Sequence, residues 1–270
     1  MKKGLLVSCA VISMCLLVLG GYKLYLYWSE SSDSFGTYAE IQEHVRVPET
    51  DIVCIRIAPE ESGLSVEPSV IDTDQFEESI SWPEVDFDAL RQINPDIVGW
   101  LYCEGTVINY PVTRGRDNSY YLNHLFDGTK NSNGCLFLDC RASDNFSSRH
   151  SIIYGHHMKN GSMFTVLEQY KKLEFYEDHP IMLLMTPSCN YVVRVHAAHT
   201  ASVRDNAWAL DFEQESDFLN WIRDAQEKSA FHSRYSVSSS DHVLTLSTCS
   251  SEFRNARFVV VGVLEQTGGR

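Results

Sequence analysis

Two short apolar runs near the C-terminus of this 270-residue chain frame a cysteine and an arginine. Residues 243–249 alternate apolar and polar side chains, and residues 257–261 are rich in valine, so both runs predict β-strands. Cys249 ends the first strand and Arg257 begins the second. If the strands pair as an antiparallel hairpin, as so short a connection favours, the two residues face each other about 5 Å apart.

A cysteine beside a permanent cation suits acyl transfer through a thioester. The guanidinium favours the thiolate or stabilises an oxyanion. The reaction also needs a base, and residues 152–157 (IIYGHH) run from an apolar strand into a glycine and two histidines. Loops that follow strands often carry catalytic side chains. His156 and His157 cannot both face one cleft from an extended chain, and spacing alone does not choose between them.

Each of these residues also has a purely structural interpretation. A lone cysteine is more often a buried thiol than a nucleophile. Arg257 is equally the exposed end of a strand, solvated or paired with Glu252, and Arg254 competes for its role, although only Arg257 opens the valine-rich strand. The chain has ten histidines, so a single one carries little weight by itself.

The motif TLSTC at residues 245–249 resembles the TLxTC signature of sortases, the membrane-anchored cysteine transpeptidases of Gram-positive bacteria, and Arg257 follows it as the family's arginine does. The resemblance covers roughly residues 87–264. Further segments resemble class B sortases in particular, and their order along the chain makes the match specific. These segments are NPDIVGW at 94–100, YPV at 110–112, DNSYYL at 117–122, YGHHM at 154–158 and GSMF at 161–164.

The resemblance implies a role for each residue of the site. Cys249 would be the nucleophile, and His156 the proton carrier, because the catalytic histidine of sortases directly follows the glycine. Arg257 would bind substrate and stabilise the oxyanion. Three more residues align with positions that line the class B substrate groove: Asn118, Leu122 and Ser247. As structural alternatives, Leu122 would be core and Asn118 a turn cap. Asp139 is a turn former rather than a third catalytic member, because sortases do not depend on a fixed acid.

The implied reaction is cleavage of a C-terminal sorting signal resembling NPxT-G or NPxT-N after its threonine. The acyl group would pass through a thioester to the amine of a lipid II-type peptidoglycan precursor. The implied partners are secreted surface proteins or pilins that carry such signals. Neither a cofactor nor a metal is expected, and the sequence has no HExxH or paired CxxC motif.

Three alternatives stay open at this point. One is a sortase that polymerises pilins. Another is a papain-like cysteine hydrolase, which would place the cysteine at a helix start with the histidine downstream, whereas here His156 precedes Cys249. The third is an anchored binding module without catalysis.

Composition restricts the other classes of function. The net charge of −14 argues against nucleic-acid binding, which needs a basic face. Of the eight cysteines, two lie in the apolar N-terminus, and most of the others are expected to be free or buried thiols. Those others, apart from Cys249, are Cys54, Cys103, Cys135, Cys140 and Cys189. A bridge from Cys135 to Cys140, or from Cys103 to Cys189, remains an alternative.

The N-terminus has the pattern of a membrane anchor. Two lysines precede an uncharged apolar run at residues 4–22, and Lys23 and an aromatic cluster follow it. The run is long for a signal peptide, and no clear cleavage site follows it, so an uncleaved anchor is the preferred prediction over a cleaved signal. The N-terminal lysines predict a single-pass protein of the cell membrane, with a cytoplasmic N-terminus and an extracellular catalytic domain.

The predicted organisation has four parts: an anchor at 1–28, an acidic extracellular linker at 29–84 with one short strand at 52–57, a catalytic domain at 85–266 and a tail at 267–270. Many short strands predict a mainly β barrel or sandwich, and the resemblance implies a closed eight-stranded β-barrel with a few peripheral helices. Helices are expected at 86–93, at 164–170 and from Ser216, as N-cap, to 225. Strands are expected at 97–102, 107–112, 134–138, 151–154, 181–185, 191–200, 242–248 and 257–264.

Overall fold

The structure is a computed structural model. It describes residues 2–48, 80–249 and 255–267, with residues 2–11 and residue 249 described by their backbone alone. The predicted strand at 52–57 and the last three residues of the predicted tail lie outside the described residues.

Eight strands close into a β-barrel. The strands are β3 Ile97–Tyr102, β4 Asn109–Thr113, β5 Leu136–Leu138, β6 His150–Tyr154, β7 Ile181–Met185, β8 Asn190–Ser202, β9 His242–Cys249 and β10 Ala256–Thr267. Their spatial order is β10-β8-β7-β3-β4-β5-β6-β9, with β9 pairing back onto β10. Two pairs are parallel, β4 with β5 and β6 with β9, and the others are antiparallel. The closed eight-stranded barrel confirms the barrel part of the predicted fold class.

The alternation of side chains along the strands builds the barrel interior. Leu244 and Leu246 of β9 and Phe258 and Val260 of β10 are buried in the main core, as their period-2 spacing predicts. Val261 of β10 belongs instead to a second cluster on the outer face. Burying both faces of β9 and β10 fixes their register, because a one-residue slip would exchange the two sets of side chains.

A helix at Glu215–Glu227 covers that outer face. Its apolar stripe includes Phe218, Trp221 and Ile222, which pack against residues of β8, β9 and β10. The helix is where the sequence predicts it, but its N-cap is Gln214 rather than Ser216. The Gln214 side chain accepts from the backbone at Asp217, and the Asp217 side chain binds the Gln214 backbone, so the capping box forms two residues earlier.

The other helices within residues 80–267 are short. The helix Phe87–Ile93 begins after Asp86, whose carboxylate accepts the N–H of Ala89 at 2.9 Å. The predicted helix at 164–170 is a 3-10 helix, Phe164–Lys171, continued by an α-helix at Leu173–Asp178. Two further 3-10 turns, Tyr120–Leu122 and Asn206–Trp208, were not expected from the sequence.

The N-terminal helix runs from Lys2 to Gln42. The first part of the segment predicted as a linker, residues 29–42, therefore continues this helix, and its buried residues Ser34, Tyr38 and Ile41 pack on the barrel. A two-stranded sheet outside the barrel follows, with β1 Val45–Arg46 antiparallel to β2 Glu84–Val85.

The predicted transmembrane anchor falls on the same N-terminal helix. In the part of the chain that the structure describes, no helix combines the length and the apolar character needed to cross a membrane.

The described cysteines with side chains are free thiols. Cys103, Cys135 and Cys189 are buried and Cys140 is half-buried, so neither of the two alternative disulfides is formed in the structure. Cys54 lies outside the described residues.

Candidate active site

The hairpin of β9 and β10 places Cys249 directly opposite Arg257. The strands pair antiparallel, and the ladder runs from Leu264 opposite His242 to Arg257 opposite Cys249. Paired Cα atoms in such a ladder lie about 4.5 to 5.5 Å apart. The juxtaposition predicted from the two strand patterns is therefore present in the backbone.

The parallel pairing of β6 with β9 brings the histidine to the same end of the barrel. Tyr154 pairs with Ser247, and the N–H of Gly155 donates to the Ser247 carbonyl at 3.1 Å. His156 lies two residues beyond Tyr154, and Cys249 lies two residues beyond Ser247. Adjacent strands are about 4.8 Å apart, so the two chains leave the barrel side by side. The three predicted catalytic positions thus lie on the neighbouring strand ends of β6, β9 and β10.

The half-buried imidazole of His156 is oriented by a backbone carbonyl. Its Nε2 lies 2.6 Å from the carbonyl oxygen of Leu122. A carbonyl only accepts, so Nε2 carries the hydrogen and Nδ1 is the nitrogen left to exchange a proton. His157 is exposed, and its Nε2 lies 3.7 Å from a carboxylate oxygen of Glu168. Of the two adjacent histidines, only His156 is tied to the loop that carries Leu122.

Arg257 is half-buried at the start of β10. One guanidinium nitrogen, Nη1, donates to the carbonyl of Ala256 at 3.0 Å. A guanidinium has five N–H donors, so this contact leaves most of them for another acceptor. The arrangement can bind a carboxylate, a carbonyl or an oxyanion beside the Cys249 position.

Two known proteins are similar to this chain over 177 residues. Sortase B of Staphylococcus aureus is 37% identical over 177 residues, which are 65% of this chain and 72% of that protein. The chain belongs to the sortase B family. Sortase B of Listeria monocytogenes is 34% identical over the same length and shares. No protein-family model matches the chain.

Solved structures resemble the barrel of this sortase. A Staphylococcus aureus sortase B-substrate complex superposes with a TM-score of 0.64 at 35% identity, covering 67% of this chain and 85% of that one. A Bacillus anthracis protein similar to sortase B superposes with a TM-score of 0.63 at 34% identity, covering 67% of this chain and 83% of that one. Clostridium perfringens sortase B superposes with a TM-score of 0.63 at 30% identity, covering 67% of this chain and 100% of that one.

The three residues predicted to bind substrate differ in their exposure and in their hydrogen bonds in this sortase. Leu122 is 41% exposed on the rim beside His156, so it is not the core residue of the structural alternative. Ser247 is buried on β9. Asn118 is half-buried, and its side-chain oxygen accepts the N–H of Cys140 at 2.8 Å, which holds the turn after β5.

Trp208 contacts the site and was missed by sequence reasoning. Its indole Nε1 donates to the hydroxyl of Ser247 at 3.2 Å, so the 3-10 turn Asn206–Trp208 lies over β9 just before Cys249. A single tryptophan in a long connection has no periodic pattern around it. The only sequence signal was a large aromatic residue in the connection between β8 and the helix Glu215–Glu227.

A buried carboxylate lies one strand away from the histidine. Asp139 is fully buried after β5 and forms two contacts with the guanidinium of Arg141, at 2.9 and 2.7 Å. The hydroxyl of Tyr154 donates to it at 3.0 Å. Burial alone would raise the pKa of Asp139, but hydrogen bonds from Arg141 outweigh burial and lower the pKa to about 2. Its oxygens bind Arg141 and Tyr154, and it acts as a structural anion of the β5 turn.

A second histidine, His150, is fully buried at the other end of β6. Its Nδ1 donates to the carbonyl of Ala209, and its Nε2 accepts from the hydroxyl of Thr245 at 2.7 Å. Burial lowers the pKa of His150 to about 4, so the ring is neutral at pH 7. This histidine links β9 to the connection that carries Trp208.

Across residues 2–48, 80–249 and 255–267, no group of three or more histidine, cysteine, aspartate or glutamate side chains is arranged to hold a metal ion.

Proposed function

We propose that this sortase is a class B cysteine transpeptidase that cleaves a C-terminal sorting signal resembling NPxT-G or NPxT-N and transfers the protein to an amine. The observation that carries the proposal is the backbone register, in which Cys249 pairs with Arg257 and β6 delivers His156 to the same end of the barrel. Family membership supports the reaction class.

In the first half-reaction, the thiolate of Cys249 attacks the carbonyl carbon of the threonine. The negative charge that develops on the carbonyl oxygen is stabilised by the guanidinium of Arg257. His156, as imidazolium, gives a proton to the leaving amine when the C–N bond breaks. The product is a thioester between Cys249 and the threonine, with the C-terminal fragment released.

In the second half-reaction, an amine displaces the thiolate. The proposed acceptor is the amine of a lipid II-type peptidoglycan precursor, and a pilin lysine is the alternative. His156 removes a proton from the attacking amine. With Nε2–H donated to the Leu122 carbonyl, Nδ1 is the atom that gives and takes this proton.

The groove is proposed to run along the rim that carries the exposed Leu122, and to continue past Ser247. Because the Ser247 hydroxyl accepts the indole N–H of Trp208, a substrate contact at Ser247 would involve the Trp208 turn as well. Asn118 would contribute through the turn it holds at Cys140.

The same proposal includes a location. The lysines at the N-terminus and the apolar run at 4–22 support a chain held in the cell membrane with its catalytic domain outside. Fractionation of cells, followed by protease treatment of intact cells, tests this. Protein in the soluble fraction, or protein protected from external protease, would contradict it.

The reaction is tested by incubating the full chain with a quenched peptide that contains an NPxTG or NPxTN sequence, with and without an amine acceptor. We expect cleavage after threonine, complete loss of cleavage in Cys249→Ala, and diversion of the product to the amine. Cleavage that ignores the amine would indicate a hydrolase instead. Absence of thiol-dependent turnover on a library of sorting peptides would contradict catalysis and leave a binding module.

A further inference from the structure

The end of the N-terminal helix packs against a short loop of the barrel, residues 131–134, here called the support loop. Ser34, Tyr38 and Ile41 are spaced by four and three residues, which places them on one face of the helix, and all three are buried. The rest of residues 29–42 is mainly polar, and its one large apolar side chain, Phe35, is exposed. Burial of this one face indicates a specific docking site on the barrel.

Hydrogen bonds join the helix to the support loop at successive turns. The hydroxyl of Tyr38 donates to the carbonyl of Gly134 at 2.6 Å. The side-chain amide of Asn133 donates to the hydroxyl of Ser34, and that of Asn131 donates to the carbonyl of Glu30 at 2.8 Å. Both asparagines are buried. Buried amides without these partners would be destabilising, so the contacts hold the loop in one conformation.

The support loop also lies close to His156. Gly134 has a φ of +60°, and a Cβ added there would lie 3.0 Å from the carbonyl oxygen of Leu122 and 3.1 Å from Cδ2 of His156. The same Leu122 oxygen accepts the His156 Nε2–H. Gly134 is therefore close both to the Tyr38 hydroxyl and to the imidazole with its acceptor.

The helix also contacts the loop that carries the histidine, residues 155–163. The side-chain amide of Asn160 donates to the hydroxyl of Ser31 at 2.8 Å. The loop is closed by the N–H of Phe164, which donates to the carbonyl of His156 at 3.0 Å. The N-terminal helix thus contacts both the support of the imidazole and the segment in which the imidazole lies.

We propose that the N-terminal helix orients the catalytic histidine, with Tyr38 as the positioning residue that acts through Gly134 on His156. The inference rests on the proposed function of His156. Removal of the Tyr38 hydroxyl leaves the buried Gly134 carbonyl without this donor, so Gly134 and the Leu122 carbonyl relax. A small displacement of a proton-transfer group lowers the rate steeply, and removal of this hydroxyl is expected to lower kcat about tenfold with little change in KM.

The test compares Tyr38→Phe with Tyr27→Phe in the full chain. Tyr27 lies on the same helix and is 42% exposed, so its substitution is the matched control. The direct measurement is the ¹⁵N NMR spectrum of the His156 imidazole, assigned by its loss in His156→Gln. In the wild type and in Tyr27→Phe we expect the signal of a hydrogen-bonded Nε2–H. In Tyr38→Phe we expect that signal to disappear, because the proton exchanges with water and the ring populates both tautomers. The kcat and KM values of the three folded proteins are measured alongside.

A Tyr38→Phe spectrum identical to the wild type, in a folded protein, would overturn the proposal, as would a fall in activity that follows thermal stability alone. If Tyr38→Phe does not fold, Ser31→Ala carries the same measurement, with a smaller change of the same kind expected and an unchanged spectrum contradicting the proposal. The spectrum does not depend on turnover. A wild type that cleaves no peptide would therefore count against the proposed function, and the NMR spectra would still decide whether the helix orients His156.

Discussion

The imidazole of His156 and the guanidinium of Arg257 have different degrees of constraint. The imidazole is fixed by the Leu122 carbonyl at 2.6 Å, whereas the guanidinium contacts the adjacent Ala256 carbonyl at 3.0 Å. An oriented imidazole beside a guanidinium, whose five donors outnumber its one described contact, would suit a site in which charge develops on the substrate oxygen. Substitutions of single residues test these roles separately.

Removal of Arg257 is expected to affect the chemical step. Arg257→Ala should lower kcat about 10²- to 10³-fold, because loss of one oxyanion donor costs roughly 3 to 4 kcal/mol. Arg257→Lys should recover only part of this, because an ammonium lacks the planar fork of donors. The measurement is kcat and KM on a sorting-signal peptide. Arg254→Ala is the control and should be close to wild type; the opposite ranking would transfer the role to Arg254.

Asp139 should stabilise the fold through its ionised form. Its folded pKa of about 2 lies below the ordinary value, so its stabilisation is present above about pH 4 and is lost as the pH falls toward 2. Asp139→Asn should therefore lower the free energy of unfolding by about 2 kcal/mol at pH 7. The difference from wild type should narrow between about pH 4 and 2 in denaturant titrations.

The control for this prediction is Asp88→Asn. Asp88 is exposed and pairs with Arg91 at 3.9 Å, a contact of little energetic value. If Asp139→Asn and Asp88→Asn have the same small effect at pH 7, the Arg141 and Tyr154 contacts do not stabilise the barrel.

At the scale of elements, the site depends on two different kinds of strand pairing. The β9–β10 hairpin joins neighbouring segments, so Cys249 and Arg257 meet through local chain geometry. His156 is delivered by β6, which is distant in sequence and parallel to β9. The position of His156 beside Cys249 therefore depends on long-range strand pairing rather than on local chain geometry.

Gly155 is the critical residue of that junction. A Cβ at this position would lie 2.5 Å from Cδ2 of Leu136 and 2.6 Å from Cδ2 of Phe164. Gly155→Ala should lower the free energy of unfolding by about 1 to 3 kcal/mol through overpacking. It should also reduce kcat, because the residue next to His156 must shift. Thermal unfolding and peptide cleavage measure the two effects.

Gly36→Ala is the matched control, because no atom lies within 4 Å of a Cβ at this position in the N-terminal helix. Alanine there should leave stability unchanged or raise it slightly. A Gly155→Ala protein with wild-type stability and activity would show that the close packing after β6 does not constrain the histidine.

The elements were predictable where a pattern is local. The strands Ile97–Tyr102 and Ile181–Met185 coincide with their predicted bounds, and the β9–β10 pairing followed from alternation and a short connection. The parallel pairing of β6 with β9 has no local signal. The many short strands predicted a mainly β barrel or sandwich, whereas the closed eight-stranded barrel came from motif resemblance. The choice of His156 over His157 also came from the resemblance, since spacing could not distinguish adjacent histidines.

At the scale of the whole molecule, the N-terminal segment was the least predictable part. Its buried residues Ser34, Tyr38 and Ile41 stand among serines and acids, so the sequence resembles a solvated linker. The loop residues that bond this part of the helix, Asn131, Asn133 and Gly134, are distant in sequence. Hydrogen bonds to a distant loop leave no local pattern in the sequence, and two apolar residues, Tyr38 and Ile41, are too few to show a helical period.

The buried histidines predict the acid stability of the molecule. Burial lowers the pKa of both His150 and His199 to about 4. The unfolded chain binds protons at these histidines near pH 6.5, whereas the folded chain binds them only near pH 4. The free energy of unfolding is therefore highest above pH 6.5 and decreases as the pH falls to about 4. Each histidine should contribute up to about 1.4 kcal/mol per pH unit in this window. Denaturant titrations between pH 7 and 4 measure the slope of the free energy of unfolding against pH.

A matched pair of substitutions separates this effect from general acid sensitivity. His199→Gln should reduce the slope, whereas His232→Gln, at an exposed position, should leave it unchanged. Equal slopes for both variants and the wild type would contradict the role of burial.

The central claim is that Cys249 takes up the acyl group at the end of the barrel where His156 and Arg257 also lie. Intact-mass spectrometry of the full chain during turnover of a sorting-signal peptide, followed by peptide mapping, tests it most directly. The predicted result is a thioester of the N-terminal peptide fragment on Cys249, which disappears when an amine is added. Turnover with no adduct on Cys249, or an adduct on a different cysteine, would contradict the account.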